Sequence, residues 1–370
     1  MQVKSLGKAV GTALVAALAV ATVATPASAD PFGGFPPYPT DPAAYRILAG
    51  TGSDTTQDVM NGLGAAIGGG SVLASWDARG TSPIKTKVDN CVFQRPNGST
   101  EGNRSLWASK VQSPTVSTIE DCVDFARSSS STTLVAGGNG TWIPFALDAV
   151  TYAINENSDL PLNMSLSLLQ NIYKCVTPTV GTFPVQPLLI QPGSGTRQFW
   201  NQQMGITDAE INAGDYPCLV PASPTVPDGS GVAPVQEHDG RELTGHHDYV
   251  MPFSIAQHIA QGNSLPGVED RRGPSLLGSI NTVRPYATGT NPPNEVLNPN
   301  FPLNRRVYNI VASSELTEEW IDRVFTAGGS FGSLLCDQSG VITSYGFATI
   351  NDCGSVSLTG NMNTSGWPPA

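Results

Sequence analysis

Two distant segments of the chain share one construction. GTGSDTTQDVMNGLGAAI (50–67) and QPGSGTRQFWNQQMGI (191–206) each follow a short apolar run, pass through glycine, serine and threonine, and turn into a helix. A helix N-terminus leaves backbone N–H groups unpaired and carries partial positive charge. Glycine lets a ligand approach the backbone closely, and hydroxyls add donors. One such junction alone is an ordinary helix cap. Here two further polar turns, RPNGSTEG (95–102) and ARSSSS (126–131), have a similar build. Repetition at strand-to-helix junctions points to an anion site at the C-terminal ends of strands in an α/β sheet. The candidate ligand-binding residues are Ser53, Asp54 and Thr55 in the first loop and Ser99 in the second. Arg127, Ser128 and Ser129 stand in the third, and Gly193, Ser194, Gly195, Thr196 and Arg197 in the fourth.

The pattern between these loops alternates strand and helix. YRILAG, SVLASWDA, CVDFARSSSS, WIPFALDAVTYAIN, PVQPLLIQ and NRRVYNIVAS read as strands. SLWASKV, SLSLLQNIYKC and SELTEEWIDRVFTA read as helices, and VMPFSIAQHIAQ as a strand entering one. Val59, Leu63, Ala66 and Ile67 form one helical face. Ser314 or Thr317 is the expected N-cap of the SELTEEW helix, with Glu318 and Glu319 in its first turn. Such alternation predicts mostly parallel sheet covered by helices.

The first 29 residues have two lysines, an apolar run and an Ala27-Ser28-Ala29 site, so they read as a cleaved secretory signal. No cysteine stands near the cleavage site, so the expectation is a secreted chain without a lipid anchor. Residues 30–44 are rich in proline and glycine and read as a linker. Removing 29 of 370 residues leaves 341, enough for two domains or lobes. The two lysines leave with them and no acid does, so the formal charge of −11 becomes −13. That charge argues against nucleic acid as a partner and requires any anion to be held by local groups. Six cysteines in an exported chain favour disulfides, and sequential pairing (Cys91–Cys122, Cys175–Cys218, Cys336–Cys353) closes the shortest loops.

All four histidines fall in EHDGRELTGHHDYVMPFSIAQH (237–258). His238, His246, His247 and His258 lie near Glu237, Asp239, Glu242 and Asp248, but no tight metal-ligand spacing appears, so no metal site is expected. A catalytic reading takes His238 with Glu237 or Asp239 as a general base acting on a phosphate ester. The sole GxSxG match, Gly328 to Gly332, follows a helix and lacks the strand-to-helix context of a nucleophile elbow. No catalytic residue or cofactor is expected.

LIQPGSGTRQFW resembles the GSGT loop of the phosphate-binding proteins of ABC importers, and the resemblance runs in order through ILAGTGSDTTQDVM, VDFARSSSS, WIPFALDAVTYAIN, SLSLLQNIYKC and FPLNRRVYNIV, from about Tyr45 to Phe347. It implies an α/β, two-lobed type II periplasmic-binding-protein-like fold with two crossover strands. Lobe 1 would comprise 45–146 and 276–370, and lobe 2 would comprise 147–275. It further implies a monomer binding inorganic phosphate or a related oxyanion in the cleft, with an ABC importer permease as partner. Asp54, Thr55, Ser99, Ser128, Ser129, Ser194, Gly195 and Thr196 would line that cleft. Two departures stand out. Ser129 occupies the place of the family's aspartate, and Leu189-Ile190-Gln191-Pro192 replaces the stretch that usually carries an arginine. Arg127 and Arg197 are the candidates to supply the charge, and Asp54 the candidate proton acceptor. The alternatives are a secreted hydrolase of phosphate esters and a cell-surface protein that keeps the fold without transport.

Overall fold

The computed structural model describes residues 30–31, 37–88, 90–111, 119–287, 295–363, 365, 367 and 368. The signal reading of residues 1–29 lies outside them. Among the described residues, nine strands make the main sheet: β1 (Leu48–Gly52), β2 (Leu73–Ser75), β3 (Phe125–Ser128), β4 (Gly140–Asn155), β5 (Gln186–Pro187), β6 (Tyr249–Ser254), β7 (Ser275–Leu277), β8 (Asn304–Ala312) and β9 (Thr359–Gly360). Their order is β5-β6-β4-β8-β3-β1-β2, with β7 and β9 also on β4. The flanks are parallel (β1 with β2 and β3, β5 with β6), as strand–helix alternation requires. The centre is antiparallel: β8 pairs along β4 from Asn304↔Ala149 to Ala312↔Gly140. Central position buries β4 almost throughout, which is why its sequence is a nearly continuous apolar run broken by one charge, Asp148.

Helices cover the sheet: α1 (Gln57–Ala66), α2 (Ser99–Lys110), α3 (Leu166–Tyr173), α4 (Gly195–Met204), α5 (Asp208–Ala213), α6 (Ile255–Gly262), α7 (Glu319–Phe325) and α8 (Ser339–Ser344). Val59, Leu63 and Ile67 are buried as the helical face predicts. Ala66 is exposed, and Met60 fills the core instead, because α1 ends there and a 3-10 turn takes over. The cap of α7 is Glu318 rather than Ser314 or Thr317, since a separate 3-10 turn, Ser313–Glu315, takes up the preceding residues. One core joins α1, α3, α4 and α6 against one part of the sheet; a second gathers Trp76, Leu106, Trp142 and Ile310. The three disulfides pair sequentially, 91–122, 175–218 and 336–353. The described part of the 30–44 segment is tied down. Asp30 is buried, and its carboxylate accepts from both terminal nitrogens of Arg95. Asp41 caps a 3-10 turn at Pro42–Ala44, its side chain accepting from Ala43 N–H at 2.9 Å.

Two of the glycine-bearing loops meet in space. Gly98, the N-cap of α2, has φ +101°, and a Cβ there would lie 2.6 Å from the Gly193 carbonyl oxygen. Thr100 N–H donates to that same carbonyl at 3.2 Å. Only glycine satisfies both the left-handed backbone and the close approach. Gly98→Ala is therefore expected to lower unfolding free energy by about 2 kcal/mol in denaturant titration, from backbone strain plus overpacking.

Candidate functional site

The first loop leaves β1 at Gly52, makes a 3-10 turn at Asp54–Thr56 and enters α1. The last enters α4, where Ser194 caps the helix by accepting from Arg197 N–H at 3.1 Å. These loops, the start of α2 and the β3 turn bring five hydroxyls together. Thr55 Oγ1 lies 3.1 Å from both Ser129 Oγ and Thr196 Oγ1. Ser53 Oγ lies 3.1 Å from Ser129 Oγ, and Ser129 N–H donates to Ser99 Oγ at 3.0 Å. Gly195 leaves room for them, because a Cβ there would meet Ser129 Oγ at 2.4 Å and Ser99 Oγ at 2.5 Å and displace both hydroxyls. All five hydroxyl residues are buried.

The centre of this cluster holds a carboxylate supplied by the chain itself. Glu237 Oε1 accepts from Thr55 Oγ1 at 2.7 Å, Thr196 Oγ1 at 2.8 Å and His238 Nε2 at 2.9 Å. Ser254 N–H donates to His238 Nδ1 at 3.3 Å, so the ring proton is on Nε2. His238 has φ +55°, a left-handed backbone, and its side chain is buried. Burial opposes charge on Glu237, but hydrogen bonds from His238, Ser194 and Thr55 favour it and hold the carboxyl below its usual range.

One cation joins the cluster. Arg305 stands directly opposite Asp148 in the β4–β8 ladder, and its Nε and Nη2 donate to Asp148 Oδ2 at 3.1 and 2.9 Å. Nη2 also donates to Thr196 Oγ1 at 2.7 Å. Asp148 Oδ1 accepts from Ser254 Oγ at 2.7 Å and from Ala256 N–H at 3.2 Å, at the start of α6. Among the described residues, Arg305 Nη1 and Glu237 Oε2 have no hydrogen-bond partner.

The remaining candidates turn elsewhere. Arg127 donates to the carbonyls of Gly52, Ser53 and Trp76 and to Ser75 Oγ, bracing the first loop from behind; burial pushes its pKa down to about 10. Arg197 is engaged by Asp208 and the Ile190 carbonyl. Ser128 donates to the Ser130 carbonyl, and Gly193 packs against Gly98. Asp54 pairs with Arg271 at 3.3 Å and accepts from Gln236 Nε2 at 3.1 Å. The histidines do not converge. His258 is buried between Tyr286 Oη and the Ser275 carbonyl, and burial lowers its pKa to about 3; His246 stacks on Tyr249. No group of three or more His, Cys, Asp or Glu able to hold a metal occurs among the described residues.

Sequence reasoning misses Arg305 and Asp148. Both carry a signal: Arg305 alternates in phase with buried Val307, and Asp148 is the one charge inside a 16-residue strand. Glu237 and His238 stand out in the sequence, but as a base or metal ligands rather than as the occupant of the hydroxyl cluster.

No protein-family model matches the chain, and no curated protein is significantly similar to it. Solved structures do match. A protein described as a phosphate ABC transporter substrate-binding protein with bound phosphate, from Clostridium perfringens, superposes with a TM-score of 0.51 at 12% identity, over 82% of this chain and 99% of that one. An ABC-type phosphate transport receptor from Vibrio cholerae gives 0.48 at 15% identity, over 82% of this chain and 100% of its own. The chain thus has the α/β fold of the first of these binding proteins.

Behind the first loop, burial together with Asp30 and Asp58 raises the Asp77 pKa to about 7. A carboxyl whose folded pKa lies above its unfolded value costs stability as pH rises between the two, here from about 4 to 7. Asp77→Asn is expected to remove that slope, so its melting temperature relative to wild type rises between pH 4 and 7. Parallel pH profiles would dispose of the assignment.

Proposed function

We propose that the chain is an exported solute-binding protein for a small oxyanion, with inorganic phosphate the first candidate, held without chemistry between lobes 45–146 plus 276–370 and 147–275. One observation carries this reading. Hydroxyls from two loops that are 141 residues apart, Thr55 and Thr196, converge on a single anionic oxygen, with Arg305 donating to one of them. That oxygen belongs to Glu237, and it stands in for an oxygen of the ligand. Carboxylate and phosphate oxygens draw on the same hydroxyl and guanidinium donors. The phosphate-bound neighbour with the same fold supports the choice of anion. Departure of Glu237 would open the donor set, so its carboxylate is a built-in competitor.

The hydrolase alternative is weaker for a specific reason. A histidine whose Nδ1 accepts from Ser254 N–H carries its proton on Nε2, facing Thr55, and cannot take a proton from that hydroxyl.

Titration calorimetry with inorganic phosphate tests the reading. Glu237→Gln removes the competing charge and is expected to bind about tenfold tighter than wild type or more. Thr196→Val in that background, an isosteric loss of one donor, is expected to give back about tenfold. Absence of phosphate binding by both wild type and Glu237→Gln would sink the proposal.

A further inference from the structure

Two members of the cluster, Ser129 and Arg305, also line a cavity of about 480 Å³. Another cavity of similar size touches Gln236 and Asp239 but no hydroxyl of the cluster. The cavity at Arg305 is far larger than a bare tetrahedral anion needs and falls within the range of small-molecule pockets. Its lining beyond Arg305 is suited to a second kind of group. Gln198 and Gln202 stand four residues apart on one exposed face of α4, and Asn304 joins them from β8. Gln198 Nε2 donates to Thr100 Oγ1 at 2.8 Å, which orients that amide at the cavity wall. Amides both donate and accept, as hydroxyl groups require. Phe199 and Tyr308 add aromatic surface for carbon–hydrogen faces.

One donor of the guanidinium beside this cavity is unpartnered, although Asp148 pairs its charge and the Phe199 ring lies 5.4 Å from it. Arg305 has a side chain only 4% exposed, and its Nη1 has no hydrogen-bond partner among the described residues. A buried cationic donor left unsatisfied is costly; Nη1 exposes almost no surface to the cavity, so an anionic oxygen relieves it only by entering the hydroxyl cluster as Glu237 leaves. The same anion must also contend with Glu237, a tethered rival for the Thr55 and Thr196 hydroxyls. A ligand that offers only a charged head exchanges one anion for another. A ligand with a second, neutral polar part adds contacts that Glu237 cannot match.

We propose that the preferred ligand is a phosphate ester of a small hydroxylated alcohol, bound more tightly than inorganic phosphate. Its head meets Arg305 and Ser129, and its alcohol part lies along Gln198, Gln202, Phe199 and Tyr308. This inference rests on the oxyanion reading above and narrows it.

The test compares inorganic phosphate, glycerol 3-phosphate, glucose 6-phosphate and glucose by titration calorimetry on the full chain. One of the two esters is expected to bind at least about tenfold tighter than phosphate, and glucose not at all. Gln198→Ala with Gln202→Ala, both on an exposed face and so compatible with folding, is expected to weaken that ester by about tenfold through loss of two hydrogen bonds. Phosphate binding as tightly as both esters would overturn this inference and leave the oxyanion reading standing. An ester preference that survives the double substitution would overturn the placement of the alcohol part. Glucose binding as tightly as glucose 6-phosphate would overturn the role of Arg305, and no binding of any anion, in wild type or Glu237→Gln, would overturn both readings.

Discussion

The buried ion pair between Arg305 and Asp148 is the interaction on which the site depends. The two residues face each other across β8 and β4, the longest ladder of the sheet, so their separation is fixed by backbone register rather than by side-chain freedom. Asp148 in turn accepts from the N-terminus of α6 through Ala256 N–H and Ser254. A buried pair of this kind adds little net stability over an apolar substitute, because desolvation offsets the Coulomb gain. Its consequence is positional. It holds the guanidinium so that Nη2 reaches Thr196 while Nη1 is left without a partner beside the cavity.

Glu237 is a further buried charge at the site, and it is held differently. Hydroxyls and the His238 Nε2–H surround one of its oxygens, in place of a direct arginine or lysine partner. Hydrogen bonds to a charged group contribute about 1.5–3 kcal/mol each, which is enough to offset burial of a carboxylate that makes several of them. The left-handed backbone at His238 costs on the order of 1 kcal/mol and is retained because the ring is fixed by Ser254 and Glu237 together. The donors are therefore already oriented toward negative charge before any ligand arrives.

Much of this was legible in the sequence, and the pattern of what was not is physical. The Gly-Ser-Thr loops announced themselves because helix N-termini and glycine are local features, and the sequential disulfides followed from loop length. Short-range periodicity also placed most strands and helices, apart from shifts at the ends of α1 and α7, the start of α2 at Ser99 inside the second polar turn, and α5, which it did not mark. Arginine direction was not legible. Arg127 and Arg197 stand inside the marked loops, yet each satisfies its donors on backbone carbonyls or Asp208, because a buried guanidinium takes the nearest acceptors. Arg305 reaches Thr55 across 250 residues, and Glu237 reaches it across 182. Contacts of that span are set by how the sheet assembles, and no local pattern encodes them.

The tethering of Glu237 changes what affinity means here. A group fixed on the same chain competes at an effective concentration of millimolar order or higher, whatever the solution contains. The affinity for an anion at this cluster would then be the difference between its own interactions and those Glu237 gives up. Donor strength alone cannot raise that difference, since stronger donors hold both anions more firmly. Only contacts available to an anion and not to Glu237 could do so, and the amide-lined cavity that Arg305 borders is one place for them.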